Sequence, residues 1–189
     1  MIDPEVLLQG YRLGVFPMAM EDGEIGWFSP DPRAILPLEE FHVPHTLQRI
    51  KRKKTFEIRV DASFTEVMRQ CAHRDETWIN AEIIESYTRL HRLGHAHSVE
   101  AWQDGQLAGG LYGVSIGGAF FGESMFHQVR DASKIALLAL VERLRERKFL
   151  LLDTQWTTPH LRQFGAVEIP RAEYLHLLAT AVNLPRSFL

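Results

Sequence analysis

The chain has 189 residues, 46% of them apolar and 24% charged, the balance of a folded globular protein rather than a disordered or fibrous one. A net charge of −3 advertises no general nucleic-acid binder, so any contact with RNA requires a local basic patch. The single cysteine, Cys71, excludes an internal disulfide and a cysteine-based zinc site. Met1–Gly14 lacks the apolar stretch of a signal peptide, and no apolar run approaches the roughly 20 residues that span a bilayer. The expectation is a cytoplasmic protein with no membrane partner.

Asp3-Pro4 reads as an N-cap with proline at the first helical position, opening a short helix that Gly14 ends. Phe16–Arg33 reads as irregular structure, and the prolines at 30, 32 and 37 set a domain boundary near Pro37. The expected division is a small N-terminal domain, 1–37, and a catalytic domain, 38–189. Phe56–Val60 alternates as a strand does, and Phe64, Val67, Met68, Cys71 and Ala72 form the apolar face of a helix. Asn80 caps a second helix that Gly94 closes. Three strands follow, His97–Gln103, Gln106–Ile116 and Ala119–Phe126, joined by the turn signals Asp104-Gly105 and Gly117-Gly118. A buried helix from Ala132, a strand Phe149–Asp153, a short helix after Thr158-Pro159 and a last helix Arg171–Val182 complete the chain.

This order predicts an α+β (mixed α/β) fold. An antiparallel meander followed by a helix and a further strand is the layout of the acyl-CoA N-acetyltransferase fold. Those enzymes cradle the coenzyme pyrophosphate in a glycine-rich turn opening that helix, and residues 127–134 contain no glycine. The fold is expected without its usual cofactor. Lys134 in the first turn of the helix suits either an anion such as phosphate or a plain pairing with Asp131.

Asp153 and Gln155 carry the chemistry in this reading. In extended backbone their side chains leave one face of an apolar strand together, and with Glu123 on the neighbouring strand they form the polar floor of a cleft. Trp78, Tyr87, Leu111, Phe120 and Met125 are candidates for an apolar pocket around it. Residues 49–54 hold five cations in six positions, with Arg49, Arg52 and Lys53 on one helical face, a pattern that suits nucleic-acid phosphates. His91, His95 and His97 are read as hydrogen-bonding groups rather than metal ligands, because Gly94 breaks the spacing between them. Gly122-Glu123-Ser124 is half a nucleophile elbow, which disfavours a Ser124/His127/Asp153 hydrolase.

Several segments together resemble the bacterial leucyl/phenylalanyl-tRNA–protein transferases. They include Tyr11-Arg12-x-Gly14-x-Phe16-Pro17, Trp27-x-Ser29-Pro30-x-Pro32-Arg33 and Thr77-Trp78-Ile79. Further along they are Leu90-His91-x-x-Gly94-His95-Ala96-His97-Ser98-Val99-Glu100, Gly109-Gly110-Leu111-Tyr112-Gly113, Phe120-x-Gly122-Glu123-Ser124-Met125-Phe126, Ala132-Ser133-Lys134 and Asp153-x-Gln155. The resemblance implies transfer of Leu or Phe, or Met, from aminoacyl-tRNA to proteins with N-terminal Arg or Lys, marking them for N-end rule degradation, with no cofactor. It implies that Asp153 orients Gln155, that Glu123 helps hold the acceptor, and that Trp78, Leu111, Phe120, Leu140 and Leu144 receive the side chain. Tyr11, Met18 and Tyr87 fall near the terminal adenosine, and Arg49, Arg52 and Lys53 on the tRNA backbone. Met18 stands where better-known members place tryptophan, and Leu140 and Leu144 occupy positions that can be aromatic.

Overall fold

A computed structural model describes residues 1–189. Helix α1 (Pro4–Arg12) begins as its sequence dictates: the Asp3 carboxylate accepts from the Glu5 amide, and Pro4 needs no amide partner. The segment read as irregular then forms a two-stranded hairpin, β1 (Phe16–Ala19) with β2 (Ile25–Phe28), and a short strand β3 (Arg33–Ile35). These strands have only 3 or 4 residues each, too few for an alternating pattern to stand out among the prolines. Because β3 enters the main sheet, that sheet draws one strand from before Pro37.

Helix α2 (His45–Arg52) and strand β4 (Glu57–Val60) precede α3 (Phe64–Ala72) and α4 (Ala81–Arg92). Asn80 caps α4, its side-chain oxygen accepting from the Ile83 amide at 2.9 Å. The expected meander follows as β5 (Ala96–Gln103), β6 (Gln106–Ile116) and β7 (Ala119–His127). Its first turn has Asp104 at φ +50° and Gly105 at +76°, the double positive φ of the tight hairpin that such a pair favours. Helix α5 (Ala132–Glu146) crosses over, and β8 (Leu151–Gln155) returns parallel to β7. Then come α6 (Pro159–Arg162), β9 (Val167–Ile169) and α7 (Arg171–Ala181). Strand β8 starts and ends two residues later than the sequence pattern placed it, because Phe149 and Leu150 belong to the turn after α5.

The seven-stranded sheet has the order β4-β5-β6-β7-β8-β3-β9. Two clusters of 23 buried residues each lie against it, so both of its faces are covered. One cluster takes Tyr11, Met68, Tyr87 and Tyr174 from α1, α3, α4 and α7; the other takes Leu47 from α2 and Leu137, Leu140 and Leu144 from α5. Ridges of apolar area on both faces supply the main stabilisation, at about 25 cal/mol per Å² buried. No helix is long and apolar enough to cross a membrane.

Two irregularities create an opening in this sheet. Strands β7 and β8 pair only from Ala119↔Leu151 to Phe121↔Asp153, although β7 runs on to His127 and β8 to Gln155, so the strands part beyond that point. Just there, Gly113 pairs with Gly122 and Tyr112 with Ser124, which leaves Glu123 unopposed in a β-bulge. The bulge is crowded: a Cβ built on Gly113 would lie 2.3 Å from the Phe121 carbonyl oxygen and 2.5 Å from the Phe120 ring. Gly113→Ala is therefore expected to destabilise the fold by about 1–3 kcal/mol, read as a lower urea midpoint at unchanged m-value.

Candidate functional site

The site starts from a buried ion pair. Arg33 and Asp153 are both 0% exposed, and the guanidinium grips the carboxylate with two bonds, Nε to Oδ1 at 3.0 Å and Nη2 to Oδ2 at 2.6 Å. Further hydrogen bonds enclose the pair. Arg33 Nη1 donates to the Gly14 carbonyl at 2.9 Å, and the Tyr174 hydroxyl donates to Asp153 Oδ2 at 2.8 Å. The Phe16 and Tyr174 rings cover the guanidinium at 4.9 and 4.3 Å. Burial, then the Asp153 charge, pushes the Tyr174 hydroxyl far above its ordinary value, so it stays a neutral donor. A pair this enclosed costs several kcal/mol to desolvate and about 3–5 kcal/mol when one partner is removed.

Asp153 uses its remaining capacity on Gln155, whose backbone amide donates to Oδ1 at 2.9 Å. Gln155 is not extended, as the strand reading required; its φ is +59°, and the Trp156 amide closes a three-residue turn on the Thr154 carbonyl at 2.7 Å. Positive φ at a non-glycine residue in such a turn costs about 1–3 kcal/mol and persists only where surroundings hold it. Here the holder is Asp153, itself fixed by Arg33. The turn sends the Gln155 side chain across the gap between β8 and β7, where Nε2 donates to Glu123 Oε1 at 3.1 Å. The amide oxygen of Gln155 accepts no hydrogen bond from the chain.

Glu123 is the unopposed bulge residue and also accepts from the Tyr11 hydroxyl at 2.7 Å. Tyr11 has a single proton, committed to Glu123, so its further bond to Tyr87 has Tyr87 as donor. Burial above all, with the Glu123 charge nearby, holds both phenols well above their ordinary values. Burial likewise pushes the Glu123 carboxyl up to about 8, aided by the Asp153 charge and opposed by the Tyr11 bond, by Arg33 and by Gln155. A carboxyl in that range exchanges a proton near neutral pH.

Where β7 and β8 part lies a cavity of about 270 Å³. Glu123 and Gln155 stand in its wall with Met18, Trp78 and Trp156, while Leu111, Met125, Leu137, Leu140 and Leu152 line it on the α5 side. The wall also holds three buried polar atoms without a partner in the chain: Tyr112 Oη, Thr154 Oγ1 and His160 Nε2. Each such group costs about 1–3 kcal/mol, and their gathering at one cavity makes it the candidate site.

Comparison with known sequences decides the family. A profile described as leucyl/phenylalanyl-tRNA protein transferase matches residues 35–179, and one for the N-terminal domain of the same proteins matches residues 1–31. The chain belongs to this transferase family. A leucyl/phenylalanyl-tRNA–protein transferase of Herpetosiphon aurantiacus is 60% identical over 188 residues, covering 99% of this chain and 98% of that one. Transferases of the same description from Akkermansia muciniphila and Rubrobacter xylanophilus are 55% and 54% identical, covering 96% and 99% of this chain and 97% and 98% of theirs. A solved structure from Staphylococcus epidermidis, described as a functionally unknown conserved protein, is 14% identical with a TM-score of 0.49, covering 90% of this chain and 65% of that one.

Of the residues singled out in this transferase sequence, Met18, Trp78, Leu111, Glu123, Met125, Leu140 and Gln155 meet in the cavity wall. Tyr11, Tyr87 and Asp153 stand one layer back: Tyr11 bonds to Glu123, Tyr87 to Tyr11, and Asp153 to the Gln155 amide. Phe120 and Leu144, both 0% exposed, belong to the core beneath α5 and do not touch the cavity. Arg49, Arg52 and Lys53 lie together on and just after α2, exposed and without an ion pair, whereas Lys51 between them pairs with Glu142. Lys134 takes the plain alternative, donating to Asp131 Oδ1 at 2.8 Å. Two of the three histidines are hydrogen-bonded as read, His91 to the Ala96 carbonyl and His97 to Asp61, while the His95 side chain makes no hydrogen bond within the chain. Ser124 accepts from Arg74 while Asp153 is committed to Arg33, so no relay joins them to His127.

Sequence reasoning missed Arg33, Tyr174, Leu137, Leu152 and Trp156. Leu137 had a usable signal, since it lies one helical turn before Leu140 on α5. Arg33 had a signal only as the last residue of the matching stretch Trp27-x-Ser29-Pro30-x-Pro32-Arg33, since by local pattern a lone cation on a three-residue strand resembles a solvated loop residue.

Glu123 gives a pH prediction. Its folded value exceeds its unfolded one, so the folded state binds the extra proton between the ordinary glutamate range and about pH 8. Its contribution to stability is complete below the unfolded value and lost as pH rises through about 8. Glu123→Gln is expected to flatten that decline, so that it gains on the wild type between pH 6 and pH 9. Denaturation at the two pH values measures this, and an unchanged difference refutes it.

Proposed function

We propose that the protein transfers leucine or phenylalanine, and methionine as a further donor, from aminoacyl-tRNA to the α-amine of proteins beginning with Arg or Lys. The observation that carries this reading is the Glu123–Gln155 pair across the parted strands, with the Gln155 carbonyl free and Glu123 able to exchange a proton near pH 8. An N-terminal amine has an ordinary pKa of about 7.7–8.0, so the acceptor and Glu123 are matched in proton affinity. The apolar wall of Leu111, Met125, Leu137, Leu140 and Leu152 suits a large aliphatic or aromatic side chain such as Leu, Met or Phe and offers nothing to a charged one.

In this mechanism the acceptor amine donates a hydrogen bond to the Gln155 carbonyl and attacks the ester carbonyl carbon. The carbon–nitrogen bond forms and the bond to the ribose oxygen breaks. The proton leaving the amine passes to the ribose oxygen, with Glu123 as the relay. The ester is already activated, so no covalent enzyme intermediate is needed and positioning supplies the acceleration. Asp153 positions Gln155 through its backbone and never touches substrate. Arg49, Arg52, Lys53 and Lys54, free of carboxylate partners, attract the tRNA phosphates.

The chemistry belongs to an acetyltransferase-like domain, 38–189, to whose sheet the smaller domain, 1–37, adds strand β3 with Arg33, along with the Tyr11 hydroxyl at Glu123. An acyl-CoA donor is disfavoured: the start of α5 has no glycine turn, and Gly109 of β6 packs so close that a Cβ there would lie 3.0 Å from the Ser133 amide nitrogen. The setting we propose is the cytoplasm, where added Leu or Phe marks proteins for N-end rule degradation.

With labelled Leu-tRNA, the enzyme is expected to label a peptide starting with Arg and to leave one starting with Ala unlabelled. No label on the former, or equal label on both, sinks the reading. Replacing Arg49, Arg52 and Lys53 together with alanine should weaken tRNA binding at low salt and reduce the log–log salt slope by roughly 2–3. Wild-type behaviour at every salt concentration would remove the patch from the tRNA site.

A further inference from the structure

Trp156 follows Gln155 directly, is 45% exposed, and lines the same cavity as Met18 and Trp78. A large indole left open to solvent forgoes burial that most tryptophans obtain. Its ring nitrogen makes no hydrogen bond within the chain; the one tryptophan ring nitrogen that does belongs to Trp102. Packing fixes its place all the same. Phe16, itself buried, meets the ring edge to face at 5.2 Å and 90°, and so covers at most one of its two faces. The backbone is fixed too, because the Trp156 amide closes the strained turn on Gln155. One turn thus sends Gln155 into the gap and Trp156 out to the rim.

We propose that Trp156 is the stacking platform for the purine base of the nucleoside that carries the aminoacyl ester. The inference rests on the transferase reading and adds a binding residue to it. The ester sits on the terminal ribose, so the base of that nucleoside must rest within one nucleoside's length of Gln155. Trp156 is the neighbouring residue, about 3.8 Å away along the chain between Cα atoms. A π-face accepts any base and needs no hydrogen-bond partner from the indole. The competing occupant, the cationic side chain of the acceptor, is the poorer fit. Cation sites on aromatic rings gain from nearby negative charge, and this wall holds a single carboxylate, Glu123, which already accepts from Tyr11 and Gln155 on Oε1, beside one cation, Arg74.

The probe is adenosine carrying leucine in amide linkage on its ribose, which binds without reacting. By calorimetry, Trp156→Ala is expected to weaken its Kd about tenfold or more, and Trp156→Phe to stay within about threefold of wild type. In the transfer assay Trp156→Ala should raise KM for the aminoacyl-tRNA and leave KM for the Arg peptide unchanged. Thermal unfolding of both variants checks that an exposed residue has been changed without loss of fold. An unchanged Kd in Trp156→Ala overturns the proposal, as does a raised peptide KM with an unchanged donor KM. If the wild type neither binds the probe nor transfers label, the transferase reading itself has failed. If the wild type does both and Trp156→Ala matches it, only the stacking assignment falls.

Discussion

The buried Arg33–Asp153 pair is the interaction on which the site depends. It joins β3 to β8, receives Tyr174 from α7 and reaches the Gly14 carbonyl at the end of α1. Four segments distant in sequence therefore meet on one guanidinium–carboxylate unit. Its stability value is the lesser part: two well-packed apolar residues would hold these elements about as well, since desolvation offsets most of the attraction. What apolar residues lack is an acceptor oxygen directed at a backbone amide. Asp153 Oδ1 takes the Gln155 amide, and that bond holds a turn the backbone otherwise disfavours.

The second constraint is geometric. Parallel strands β7 and β8 begin in register and separate after Phe121 and Asp153, and the bulge at Glu123 falls at the separation. A regular β7 would place Glu123 and Ser124 on opposite faces; the inserted residue breaks that alternation, and Glu123 reaches Tyr11 on the α1 side and Gln155 across the gap. The gap costs ladder hydrogen bonds, and three polar atoms near it stay unpaired. Stability spent in this way at one place is the usual mark of a functional cavity.

Legibility in the sequence followed element length and locality. The meander, α3, α4, α5 and the caps at Asp3 and Asn80 are determined by residues a few positions apart, and their periodicity is readable. Strands β3 and β9 are three residues long and exist because a long-range partner receives them, so no local pattern announces them. The same distinction divides the site. Asp153, Gln155 and Glu123 stood out as polar residues interrupting apolar strands, whereas Arg33, 120 positions from its partner, did not. The strand reading also misdirected one detail, since alternation assumes extended backbone and Gln155 is turned. Phe120 and Leu144 have the character of pocket residues, but on a sheet covered on both sides the same character describes core.

The hydroxyl chain from Tyr87 through Tyr11 to Glu123 adds a last step. Glu123 in its charged form is desolvated, and two neutral donors in series partly replace the lost water, strengthening each other in a low-dielectric setting. Arg33 lies near enough to lower the carboxyl and Asp153 near enough to raise it, and because the two are paired their fields largely cancel at Glu123. Burial is left as the governing influence, and the fold supplies it with no occupant in the cavity. On the proposed reading the relay residue is therefore prepared before substrate arrives, with a proton affinity matched to the amine it serves.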